Sequence, residues 1–142
     1  MRILAVDHGS KRIGLAISDP TGMIANPLAV IPHTSRILDA ATVAELAASH
    51  EAGMIIVGQS FDESGQPNLS GRRSARFAAI LRTQTSIPIV MWDEDFSTQS
   101  ARSARIAMGA SRRKRSGHLD DLAATVLLQS YLDAQSQQGE NN

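Results

Sequence analysis

Acidic residues stand at three places where the hydropathy pattern changes element: Asp7, the run Asp93-Glu94-Asp95, and Asp120-Asp121. Carboxylates gathered at one end of a sheet are hard oxygen ligands of the kind that suit Mg²⁺ or Mn²⁺. Such ions polarise a phosphoryl oxygen and lower the pKa of bound water, and two of them about 4 Å apart clamp an in-line displacement. A single strand-end Asp reads more plainly as a turn residue or a helix cap. Three such ends in one small domain, with no Cys and only four His, make metal chemistry an equal alternative to that plain role. His8, beside Asp7, reads as a turn histidine first and a proton carrier second.

The cations are as unevenly placed as the acids. Twelve of the fourteen are Arg, and ten lie between Ser64 and Leu119, where only Asp93, Glu94 and Asp95 oppose them. The rest of the chain holds four cations and eleven acids, so the net charge of zero is a cancellation of two opposed blocks. Arg in preference to Lys suits bidentate recognition of phosphate. Candidate backbone contacts are Lys11 and Arg12 near Asp7, then Arg72, Arg73 and Arg76, and then Arg112, Arg113, Lys114 and Arg115. Five aromatic residues leave little material for stacking single-stranded bases, which favours structured RNA or branched DNA.

These residues need elements to carry them. Arg2–Val6 reads as a short buried strand, Ile13–Ser18 as its antiparallel partner, and Met23–Ile31 as a weaker edge strand because of Pro27. Ser35 caps a helix over Arg36–His50 that Gly53 stops, and the apolar run Met54–Val57 is a central parallel strand. A helix over Ser70–Arg82, a strand over Ile87–Trp92, and a helix from Ser97 or Thr98 to Met108 follow. A basic loop then spans Ser111–Gly117, before a final helix over Leu119–Asp133. In that helix Leu119, Leu122, Ala123, Val126 and Leu127 define the expected buried stripe. Asp120 lies about 90° from its centre and Asp121 points away, which makes Asp120 the better ligand. The order predicts an α/β domain with a five-stranded mixed sheet flanked by helices. It occupies residues 1–134, with a Gln/Asn/Gly-rich disordered tail over 135–142.

Absent cysteine excludes disulfide scaffolds, thiolate zinc sites and iron–sulfur clusters. No apolar run reaches the roughly 20 residues of a membrane span, and Asp7 interrupts any signal-peptide core. The expectation is a cytoplasmic protein without a membrane partner.

With these residues in place the sequence resembles the YqgF family of Holliday-junction-resolvase-like proteins and pre-16S rRNA nucleases. The blocks that carry the likeness run from Asp7 to Pro20 (D-H-G-S-K-R-I-G-L-A-I-S-D-P), Ile55 to Gly58 (I-I-V-G), Trp92 to Thr98 (W-D-E-D-F-S-T) and Leu119 to Asp133. The resemblance implies an RNase H-like fold and a metal-dependent hydrolase using Mg²⁺ or Mn²⁺, with Asp7, Glu94 and Asp120 as the catalytic and metal-binding acids. It further implies action on structured nucleic acid: processing of the 5′ end of precursor 16S rRNA in ribosome biogenesis, or else Holliday-junction resolution. A non-catalytic RNA- or ribosome-binding module is the third reading. A monomer or weak homodimer is expected. Two departures stand out: Asp95 occupies the place of the family's Arg, and Gln59-Ser60 replaces Leu-Pro. Asp95 adds a third negative charge, raising the cost of keeping its neighbours ionised without a metal.

Overall fold

The computed structural model describes residues 1–96 and 119–140. Five strands are present: β1 (Arg2–His8), β2 (Arg12–Ser18), β3 (Ala25–Pro32), β4 (Ala52–Gln59) and β5 (Ile89–Asp93). Helices α1 (Arg36–Ser49) and α2 (Leu69–Arg82) flank β4 in the chain, a 3₁₀ turn (Glu94–Phe96) follows β5, and α3 spans Leu119–Glu140. The helix expected from Ser97 or Thr98 to Met108 and the basic loop Ser111–Gly117 lie outside the described residues.

The sheet order is β3-β2-β1-β4-β5. β1 and β2, and β2 and β3, run antiparallel, whereas β4 lies parallel to both β1 and β5. β1 and β4 are central, so their residues are buried on both faces and read as continuous apolar runs. β3 is an edge strand, as Pro27 predicts, and its register with β2 shifts between Leu15 and Ala16, where Pro27 pairs.

Strand alternation sorts two cores. Leu4, Val6, Ile13, Leu15, Ile55 and Val57 face α1 and α2, meeting Val43, Phe77 and Leu81. Ile3, Ala5, Ala16 and Ile56 face α3, meeting Ala124, Leu127, Leu128 and Tyr131. The Trp92 indole N–H donates to Ser130 Oγ at 3.0 Å, and its ring meets Tyr131 edge-on at 5.0 Å, tying β5 to α3.

Three features of α1 and α3 differ from the sequence reading. α1 is capped by Ser35, whose hydroxyl accepts from Leu38 N, and it ends at Ser49 with His50 as its cap, within a residue of the expected end, but Gly53 is not what stops it. The break falls at Glu51, which adopts the left-handed region (φ 56°) and turns the chain into β4. Gly53 lies within that strand. The stripe of α3 is set differently too: Ala123 is exposed, and Ala124 and Leu128 are fully buried. Finally, α3 continues to Glu140, across a stretch expected to be a disordered tail. Its Ala and Gln residues are sound helix formers with no Pro among them, so an established helix propagates through them.

Candidate active site and nucleic-acid face

Asp7 is the sixth residue of β1, a strand whose odd-numbered residues Ile3 and Ala5 face α3, so its half-buried carboxyl opens on that side of the sheet. Glu94 begins the 3₁₀ turn after β5, a strand separated from β1 by β4. The two meet through a gap at Gly58. Val57 pairs with Val6, and Gly58 follows it, level with Asp7, and pairs on its other side with Trp92. A Cβ on Gly58 would stand 3.0 Å from Glu94 Oε1 and 2.9 Å from Leu127 Cδ2. The missing side chain leaves a lane in which the Glu94 carboxyl crosses β4 and hydrogen-bonds Asp7. On the other flank, Gly14 of β2 pairs directly with Asp7. Asp7 therefore has a glycine on each neighbouring strand.

Burial pushes the Glu94 carboxyl above its ordinary value; the hydrogen bond with Asp7 opposes that rise, and the charges of Asp93 and Asp95 add to it. The effect anticipated for Asp95 is thus present, although Asp95 itself is exposed and its N–H donates to Asp93 Oδ1 at 2.9 Å. Two carboxyls brought together at a half-buried position are hard-oxygen donors of the kind a divalent cation takes. Among the described residues no group of three His, Asp or Glu forms a metal cage. Asp120 lies in the first turn of α3, and its side chain falls outside the described residues. It stands four residues ahead of Ala124 and seven ahead of Leu127 in the chain, both of which pack against the sheet.

His8 takes the opposite face. Its ring stacks on Phe77 of α2 at 4.7 Å and meets His33 edge-on at 6.0 Å, so it is a strand residue turned away from the acids and not a proton carrier beside them. Burial is the main cause that holds the His8 pKa below its ordinary value, and the His33 charge adds to it. His33 is fixed by Asp39, which is 2 % exposed and accepts from the His33 ring and from the Thr34 amide and hydroxyl.

The candidate phosphate contacts divide. Lys11 and Arg12 are exposed at the turn into β2. Arg72 and Arg76 are exposed one turn apart on α2, with Arg72 Nη1 donating to Pro67 O at 3.1 Å, and Arg73 is exposed toward His8. Arg112, Arg113, Lys114 and Arg115 lie outside the described residues. The Gln59-Ser60 departure has a local role: Gln59 Nε2 donates to Gly71 O, and Ser60 Oγ donates to the Asn68 side chain that caps α2. Sequence reasoning missed Gly58, His33 and Arg36. For Gly58 the signal lay in a glycine that ends a buried apolar run, where a side chain would be expected to pack.

The Holliday junction resolvase family model RuvX matches residues 1–134. A protein of Syntrophus aciditrophicus named "Putative pre-16S rRNA nuclease" is 37% identical over 138 residues, covering 97% of this chain and 92% of its own length. A protein of the same name from Thermoanaerobacter pseudethanolicus is 40% identical over 136 residues, covering 95% and 98%. Among solved structures, Thermus thermophilus RuvC in complex with a Holliday junction substrate superposes with a TM-score of 0.64 at 15% identity, covering 96% of each chain. The fowlpox virus resolvase with junction DNA gives 0.58 at 17% identity, covering 95% of this chain and 99% of that one. The five-stranded order, the facing helices and the carboxyl pair thus accompany a match over nearly the whole length, and the chain belongs to the RuvX (YqgF) family of Holliday junction resolvase-like proteins.

Proposed function

We propose that this chain is a divalent-metal-dependent nuclease that acts on structured RNA and processes the 5′ end of precursor 16S rRNA. The observation that carries the reading is the carboxyl pair of Asp7 and Glu94, joined across β4 through the gap at Gly58. Asp7, Glu94 and Asp120 would hold Mg²⁺ or Mn²⁺. When bound, the ion supplies a polarised phosphoryl oxygen and an acidified water. The residues of the chain do the rest: Glu94 is kept half-buried beside Asp7, and Lys11, Arg12, Arg72, Arg73 and Arg76 bear on the phosphate backbone. The basic segment Arg112, Arg113, Lys114 and Arg115 would extend that grip. Its place of action in this reading is the cytoplasm, on ribosomal precursors, as a monomer or weak homodimer. No helix among the described residues is long and apolar enough to cross a membrane.

The test is cleavage of a structured precursor-16S fragment in Mg²⁺ or Mn²⁺ by the wild type and by Asp7→Asn. The expected result is cleavage lost in the variant with binding kept. Equal cleavage by both would remove Asp7 from the chemistry, and binding without cleavage by the wild type would make the chain a non-catalytic RNA module. The family's own description favours one second reading, junction resolution. A resolvase needs two active sites related by symmetry, so specific junction cutting by a dimer in solution would select it.

A further inference from the structure

On the face of the sheet opposite Asp7 and Glu94, β1 ends in a cavity of about 360 Å³ lined by His8, Gly9, Ser10, His33, Arg36 and Arg73. Arg36 comes from the first turn of α1 and Arg73 from α2, so the cavity gathers side chains from four separate segments. No acid lines it. Asp39, the nearest buried carboxylate, is engaged with His33 and Thr34. Among the described residues neither Arg36 nor Arg73 forms an ion pair. The Nε2 atom of His8, beneath the cavity lining, is buried and among the described residues has no hydrogen-bond partner. Two like-charged guanidinium groups around a concavity make an incomplete polar set. What completes it is an anion with several acceptor oxygens.

We propose that this cavity is a seat for one phosphate group of the bound nucleic-acid strand, held by Arg36, Arg73, His33 and Ser10 over the His8 ring. Arg forks and a hydroxyl are the donors that tetrahedral oxyanions take. The volume exceeds that of a bare phosphate, so it admits the sugar attached to it. The seat and the acids lie back to back, because Asp7 and His8 are consecutive on β1 and point to opposite faces. A strand crossing the end of the sheet would meet the acids on one side and the seat on the other. The role of the seat is therefore to fix which phosphate reaches the acids. This assignment of the phosphate's source rests on the nuclease reading; the seat itself does not.

The experiment has two arms. Inorganic phosphate is titrated into the full chain while the imidazole resonances of His8 and His33 are followed by NMR, for the wild type and for Arg36→Gln/Arg73→Gln. Both substituted side chains are exposed, so the fold is kept. Saturable shifts of both rings that vanish in the double variant are expected, and their absence in the wild type overturns the seat. In the second arm, RNA binding is measured against salt in an Asp7→Asn background. Each lost phosphate contact lowers the slope of log affinity against log salt by about one, and the double variant should bind about 10-fold more weakly or worse at moderate salt. An unchanged affinity and slope overturn the strand assignment. A 5′-phosphorylated RNA that outcompetes its 5′-hydroxyl counterpart supports a terminal phosphate in the seat, and equality supports an internal phosphodiester. If the chain neither binds nor cuts nucleic acid yet shows the phosphate shifts, the nuclease reading falls and the seat stands.

Discussion

Replacing Gly58 by Ala adds one methyl group at the point where Glu94 crosses β4. The new Cβ would lie 3.0 Å from Glu94 Oε1, 3.1 Å from Glu94 Cγ and 2.9 Å from Leu127 Cδ2. Relaxed carbon contacts need about 3.5–4.0 Å, so the Glu94 carboxyl and Leu127 must together give way by about 0.5–1 Å. Leu127 is held between β4 and the rest of the α3 core, which leaves the carboxyl as the softer partner. Overpacking of this kind costs about 1–3 kcal/mol, and the lower chain entropy of Ala in the unfolded state returns about 0.4–1 kcal/mol. A net loss of about 1–2 kcal/mol corresponds to a Tm drop of roughly 3–6 °C for a domain of this size. The effect on cleavage should be larger. A displacement near 1 Å at a reacting group costs about 10²-fold in rate, and the Asp7–Glu94 contact is the one displaced. Initial cleavage rates and thermal melts of Gly58→Ala measure both quantities. Gly53→Ala on the same strand is the control: the three atoms nearest its Cβ all belong to the side chain of the exposed Met1, which can swing aside, and it should behave as wild type. A Gly58→Ala protein cutting within about threefold of wild type would refute the lane through β4, since roughly 10²-fold is expected for such a shift.

Three further outcomes follow from the same geometry. Glu94 has a raised pKa in the folded chain, so its share of stability is present below its unfolded value of 4.5 and lost as pH rises through the folded value; Glu94→Gln should therefore melt higher than wild type at pH 7 without divalent ions while losing cleavage. His8 has the opposite sign. With its pKa lowered, its share is present above the unfolded value of 6.5 and lost as pH falls from there toward the folded value, and a series of melts from pH 7.5 to 5 should show that limb flattened in His8→Phe. Asp39→Ala strips the acceptors from the Thr34 amide, the Thr34 hydroxyl and the His33 ring at a buried site; a loss of about 2–3 kcal/mol is expected, read as a lower urea midpoint at unchanged m.

Much of the fold was legible because it is written in short-range patterns. The apolar runs of β1 and β4, the Pro27 edge and the Ser35 cap each carry their own local physics, and each falls where the pattern places it. The site was legible only as a set of acids. That Glu94 reaches Asp7 depends on strand order and on the register of Gly58 with Val6 and Trp92. Those are long-range facts, and hydropathy does not encode them. The stripe of α3 was misplaced because Ala123 and Ala124 are equally apolar. The long-range packing of α3 against the sheet, which buries Leu128 on the same side as Ala124, chooses between them. The cavity at His8 was invisible for a simpler reason. Residues 8, 33, 36 and 73 sit in four segments, and none of those segments is basic enough by itself to announce an anion site.

The parity of β1 has a consequence for how this protein tolerates change. Deleting one residue between Ile3 and Val6 would leave the strand as apolar as before, yet it would exchange the sides of its last two residues. The carboxylate would then press against the ring of Phe77, and the imidazole would face Glu94. Such a chain could still collapse around its two cores while every surviving functional group stood on the wrong side. Length changes in this strand should therefore be far less forgivable than substitutions, and suppressors of such a deletion should be compensating single-residue insertions within β1 itself.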